Sequence, residues 1–140
     1  MNPIFEFSIE IKPQPKERPR IGRWGRAYTP TKTHRYEEQV LRLVQRQLKI
    51  SPPLISQKLR AEITFCESPP KSWSKKRRQQ AIGEYVATSP DLDNLEKAFY
   101  DALNGWLYKD DSKIVEHTTR KVYADFPIIH ARFFVADRWT

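Results

Sequence analysis

At 140 residues the chain is long enough for one hydrophobic core and reads as a single domain over 1–140. Its net charge of +8, from 25 Lys and Arg against 17 Asp and Glu, points to a polyanionic partner such as nucleic acid. The lone Cys66 excludes a disulfide framework, and with no signal-like segment or membrane-length apolar run the expectation is a cytoplasmic protein with no membrane partner.

The charge is unevenly distributed. Residues 12–35 hold Lys12, Lys16, Arg18, Arg20, Arg23, Arg26, Lys32 and Arg35 against Glu17, a net of +7. Residues 71–78 hold Lys71, Lys75, Lys76, Arg77 and Arg78 with no acid, a net of +5. The remainder of this +8 chain is therefore −4. A basic approach surface around an acidic pocket is what a metal-dependent nuclease needs.

Residues 4–11 (IFEFSIEI) alternate as a half-buried strand, with Phe5, Phe7, Ile9 and Ile11 to one side. Residues 12–32, rich in Pro, Gly and Arg, fit neither period and read as a long basic loop. Arg18, Arg20, Arg23 and Arg26 lie there beside Trp24 and Tyr28, a mixture suited to phosphates and exposed bases, or simply a flexible basic arm. Residues 33–49 show a helical stripe of Tyr36, Val40, Leu43, Val44 and Leu48, with Thr33 as N-cap and Ser51-Pro52-Pro53 as the stop. Its Glu37, Glu38, Arg42 and Arg46 read as a solvated face.

Residues 58–66 alternate again, placing Leu59, Ala61, Ile63 and Phe65 inward, and Cys66 reads as a buried small hydrophobe. The insertion 67–89 carries Lys75, Lys76, Arg77 and Arg78, a candidate DNA surface or, in its KKRR run, a localisation signal. Ser72 is expected to cap a short helix there, with Gly83 ending it and Trp73 pinning it to the core. Towards the end, 113–123 and 128–136 read as strands joined by a hairpin turn at Asp125-Phe126-Pro127. His34, His117 and His130 have no metal-ligand spacing and read as surface or ladder residues.

Between insertion and last strands stands PDLDNLEKAFYDALNGWLYKDD, residues 90–111. Leu92, Leu95, Ala98, Phe99, Ala102 and Leu103 recur at helical spacing. Asp93, Asn94, Lys97, Tyr100, Asp101 and Asn104 then share the opposite face, with Lys97 one turn from each of Asp93 and Asp101. Ser89 and Pro90 read as N-cap and first helical residue, and Asn104-Gly105 as the stop. Aspartates in a first turn also serve as ordinary dipole compensation, and Asp110-Asp111 is an ordinary turn. Together, though, two carboxylates at a helix start, a lysine one turn on and further carboxylates at the next turn can converge. Such a group repels itself unless a cation joins it, and an all-oxygen set suits Mg²⁺ or Mn²⁺ rather than zinc. The order β-α-β-α-β-β, with one-sided strands and helices, predicts an α+β two-layer sandwich: a mixed sheet with both main helices on one face.

On the motifs PDLDNLEK (90–97), FYDALNG (99–105) and KDDSKIVE (109–116), the sequence resembles the RusA family of Holliday-junction resolvases of bacteria and their phages. GRAYTPTKTHRYEEQV (25–40) and PPKSWSKKRR (69–78) are weaker echoes in the same order; the residue before Pro90, often basic in the family, is Ser89 here. The resemblance implies catalytic, metal-holding Asp91, Asp93 and Asp111 with an essential Lys97, served by Mg²⁺ or Mn²⁺. Asn94 and Asp101 are expected to orient this set, Asp101 by holding Lys97. The implied assembly is a homodimer that nicks two strands of a four-way DNA junction symmetrically, in recombination and repair, in a bacterial or phage-infected cytoplasm. Two alternatives stay open: a metal-dependent nuclease for flaps or forks, and a non-catalytic DNA-binding protein of the same fold.

Overall fold

The computed structural model describes residues 2–28, 30–49 and 55–139. In chain order these form β1 (Phe5–Ile9), β2 (Arg20–Ile21), β3 (Ala27–Tyr28), α1 (Thr31–Leu48), β4 (Leu59–Glu67), α2 (Lys75–Ala81), α3 (Leu92–Leu103), a 3₁₀ turn (Asp111–Lys113), β5 (Ile114–Tyr123) and β6 (Ile128–Val135). The main sheet runs β1-β6-β4-β5. Its β4–β5 pair is parallel and the other two pairs are antiparallel, so the sheet is mixed. The expected α+β architecture is therefore present.

Alternation explains which face is covered. Phe7 and Ile9 of β1, Leu59, Ala61, Ile63 and Phe65 of β4, and Ile129, Ala131 and Phe133 of β6 enter one buried cluster. Tyr36, Val40 and Val44 of α1 and Leu95, Ala98, Phe99, Ala102 and Leu103 of α3 close the same cluster, so both long helices lie on one side of the sheet. Each large side chain contributes about 1.5–3 kcal/mol by leaving water. Stacked Phe7–Phe133 and edge-on Phe65–Phe99 pairs, 6.2 and 6.0 Å between ring centroids, add orientation to that burial. The opposite face carries charge: Arg132 pairs with Glu6 and Glu62, and Arg60 with Glu62 while lying 4.1 Å over the Phe134 ring.

Several local expectations are corrected. The loop 12–32 contains a two-stranded β2–β3 ribbon, turned by Gly22-Arg23-Trp24-Gly25 with Gly25 at φ +76°. Asp125-Phe126-Pro127 is not a hairpin turn: β5 and β6 are separated by β4, so the connection crosses the end of that strand. As an edge strand without β6 beside it, β5 leaves much of both faces exposed, which is why it alternates poorly.

The helix caps also move. α1 starts after Pro30, and Thr33 is buried inside the first turn, where its Oγ1 accepts from the Glu17 N–H at 3.4 Å. The helix ends at Leu48 with Lys49 in the left-handed region (φ 51°), while Ser51-Pro52-Pro53 lies outside the described residues. α2 is capped by Ser74, not Ser72; its Oγ accepts from the Arg77 N–H at 3.1 Å. α3 is capped by Asp91, not Ser89, and Pro90 precedes the helix.

Candidate active site

α3 is the scaffold of the site. Its apolar stripe fixes its rotation against the sheet, so Asp91, Asp93, Asn94 and Lys97 stand exposed while Asp101 is half-buried. Asp91 is the N-cap residue, yet its side chain makes no capping bond. Asp93 Oδ1 accepts from the Asn94 N–H at 3.0 Å. The start of the helix thus presents two carboxylates with oxygens to spare, next to the N–H groups of its first turn.

Asp111 comes from a separate place. After α3, Gly105 adopts φ +79° and reverses the chain. Trp106, Leu107 and Tyr108 then bury themselves, and the Tyr108 hydroxyl donates to the Tyr100 carbonyl at 2.7 Å. This plug, read from sequence only as a short turn, sets the path of 109–113. Asp110 caps the 3₁₀ turn through Ser112, and Asp111 opens it.

The two places meet at Lys97. Its ammonium lies 3.2 Å from Asp101 Oδ1 and 3.7 Å from Asp111 Oδ2. The bond to Asp101, against slight burial and helped by Asp111, holds the Lys97 pKa above its ordinary 10.5. Asp111 shifts the other way from most paired carboxylates. Partial burial pushes its pKa above 3.8; Lys97 opposes this, and Asp101 and Asp110 add to it. A carboxylate crowded in this way gains from a further cation. Spare oxygens on Asp91 and Asp93 and crowded charge at Asp111 are the donor chemistry that suits a hard divalent ion. Among the described residues no three His, Cys, Asp or Glu side chains already converge as a metal cluster, and Asp91 and Asp93 make no ion pair with the Lys97 group.

Three further features were not legible in the sequence. Glu37, read as part of a solvated face, binds Lys16 at 2.5 Å, and the same ammonium reaches Asp101 Oδ2 at 3.3 Å. Tyr100, placed on the polar face by periodicity, is buried, and its hydroxyl meets His117 Nδ1 at 2.9 Å. Glu96 accepts from Thr119 Oγ1 and lies 3.7 Å from His117 Nε2, so a polar seam joins α3 to β5 just beyond Asp111. All three join side chains of separate elements and so required the tertiary fold.

The candidate DNA-binding residues fall on two surfaces. Arg18, Arg20, Arg23 and Arg26 are exposed along the arm and its ribbon, with Arg23 5.6 Å from the ring of the exposed Trp24. Lys75, Lys76 and Arg77 are exposed on α2, while Arg78 is half-buried. Arg77 lies 3.8 Å over the Trp73 ring, which packs edge-on to Tyr123 and so pins α2 to β5; the anchor is a small cluster with Ala81 and Val86, not the main core that the sequence suggested. No helix among the described residues is long and apolar enough to cross a membrane.

An uncharacterised protein of Bacillus subtilis (strain 168), YqaN, is 32% identical over 130 residues, covering 88% of this chain and 90% of that protein. Residues 10–132 match the family model of endodeoxyribonuclease RusA, a span holding the arm, α2, α3 and the Asp111 turn. The chain therefore belongs to the RusA endodeoxyribonuclease family.

Proposed function

We propose that the protein is a Mg²⁺-dependent endonuclease that resolves four-way DNA junctions by paired, symmetric nicks. Mn²⁺ is expected to substitute. What supports the reading is Lys97, held between carboxylates of two separate elements in a chain of an endodeoxyribonuclease family. Asp91, Asp93 and Asp111 would hold the divalent ion. When bound, such an ion lowers the pKa of its water and neutralises charge on the phosphoryl oxygens.

The chain's own groups divide the remaining work. Lys97, with its raised pKa, stays protonated at neutral pH and serves as a cation, not as a base. Its ammonium stabilises charge growing on the phosphate as the scissile bond opens. Asp101 keeps that ammonium in place through its 3.2 Å bond. Arg18, Arg20, Arg23, Arg26, Lys75, Lys76, Arg77 and Arg78 bind the DNA backbone, and exposed Trp24 offers a face for an unpaired base. Hydrolysis leaves 5′-phosphate and 3′-hydroxyl ends. Paired nicks on a two-fold substrate require two sites, so a C₂ homodimer is the expected assembly.

The test is cleavage by Asp93→Asn. Loss of one carboxylate should abolish cutting while junction binding survives or tightens, because less negative charge faces the DNA. Near wild-type nicking of a mobile junction with Mg²⁺ would sink the assignment. A panel of flaps, forks and linear duplexes separates junction resolution from general branched-DNA cutting.

A further inference from the structure

Five charged side chains form an unbroken series from α1 to the Asp111 turn: Glu37, Lys16, Asp101, Lys97 and Asp111. Their successive separations are 2.5, 3.3, 3.2 and 3.7 Å. The second member comes from the basic arm, yet it does not face solvent as the arm's arginines do. The Lys16 side chain is 20% exposed, whereas that of Arg20 is 66% exposed. Backbone bonds fix it there: the Lys16 N–H donates to the Asn94 carbonyl at 2.9 Å, and the Glu17 N–H to Thr33 Oγ1 at 3.4 Å. A lysine meant for DNA phosphate would extend outward; this one is spent on two internal carboxylates.

We propose that Lys16 is a positioning residue for Lys97: by occupying one oxygen of Asp101 it keeps Lys97 shared with Asp111, and it ties the DNA-binding arm to the catalytic lysine. The inference rests on the proposed role of Lys97 and Asp111. Asp101 has two oxygens, and each is taken by a different ammonium, Oδ1 by Lys97 and Oδ2 by Lys16. Without Lys16, Oδ2 is released and the full carboxylate charge falls to Lys97. The Lys97 side chain is 57% exposed, and its separation from Asp111 is the longest in the series at 3.7 Å. It is therefore the pairing that gives way. Arg18 and Arg20 follow Lys16 by two and four residues, so phosphates held there act on the same short tether.

The experiment uses Lys16→Met, Lys16→Arg, Asp101→Asn and the Lys16→Met/Asp101→Asn double variant. Single-turnover junction cleavage and metal-free junction binding are measured separately. Lys16→Met should lower the cleavage rate roughly tenfold with Kd within about twofold, and Lys16→Arg should recover most of the rate. In the Asp101→Asn background the Lys16→Met loss should vanish, since both act through one carboxylate. A crystal structure of Lys16→Met should show Lys97 Nζ on both Asp101 oxygens and beyond about 4 Å from Asp111. Additive losses, a fall in affinity that accounts for the whole fall in rate, or an unmoved Lys97 would overturn the proposal. If the wild type cuts no branched DNA, the proposed function fails, while the crystal structure still decides where Lys97 goes.

Discussion

The two basic segments are held to the molecule at different places. The arm leading into β2 and β3 is fastened by polar contacts, with Lys16 against Glu37 and Asp101 and the backbones of Lys16 and Glu17 against α3 and α1. The insertion carrying 71–78 is fastened to β5, by a small cluster of Trp73, Ala81, Val86 and Tyr123 apart from the main core and by backbone bonds from the Gly83 and Val86 N–H groups to the Tyr123 and Lys121 carbonyls. The two surfaces proposed to face phosphate thus rest on two separate anchors. The arm's fastening shares a carboxylate with Lys97 and ends at the proposed active site. The insertion's fastening ends on β5 and leaves Lys97 alone. Charge changes in the arm should therefore reach cleavage, whereas changes in the insertion should reach binding only.

The largest expected effect separates the two attachments directly. Trp73→Ala removes most of the satellite cluster and the platform under Arg77, and should cost about 2–3 kcal/mol locally. Thermal melts and amide exchange at α2 should register the loss, with weaker junction binding at every salt concentration. Exchange in the arm should not change. If the arm loosens as well, the two segments form one cooperative unit and the contrast fails.

The next effect is smaller and tests whether both surfaces touch phosphate. Arg18→Gln/Arg20→Gln and Lys76→Gln/Arg77→Gln should each weaken junction binding and lower the log Kd against log salt slope by roughly one for each phosphate that is no longer neutralised. An unchanged slope removes that segment from the DNA surface. At saturating DNA, the insertion variant should cut at the wild-type rate.

How much of this could be seen without coordinates follows the range of the interactions. The inward faces of β1, β4 and β6 and the stripes of α1 and α3 were legible because burial at period two or 3.6 is written locally. Lys97 and Asp101 were legible as neighbours because one helix carries them one turn apart. That Lys97 reaches Asp111 was only an expectation, since it depends on the buried Trp106-Leu107-Tyr108 plug turning the chain back. Sheet order was not legible: four residues between β5 and β6 look like a hairpin, and only the insertion of β4 between them reveals the crossover. Lys16 was hidden for a related reason. In a run of cations, composition does not say which one turns inward, and its partners Glu37 and Asp101 lie far along the chain.

The smallest effect lies where the two segments meet. Lys12 of the arm and Lys71 of the insertion line one groove of about 600 Å³ with Glu67 at the end of β4. Burial pushes the Glu67 carboxyl above its ordinary 4.5, although Lys121 and Lys12 pull it down. With a folded pKa above the unfolded one, the folded state holds the extra proton in the window just above pH 4.5. Stability from this group is present below that pH and is lost as pH rises through the folded pKa. Glu67→Gln removes the titration, so urea melts of variant and wild type should diverge in favour of the variant as pH rises above 4.5. Adding Lys12→Gln should widen the gap, because the wild-type acid then loses a cation that offsets its burial. If Lys12→Gln leaves the gap unchanged, the arm does not reach across to the insertion's groove, and the two basic surfaces are electrostatically independent.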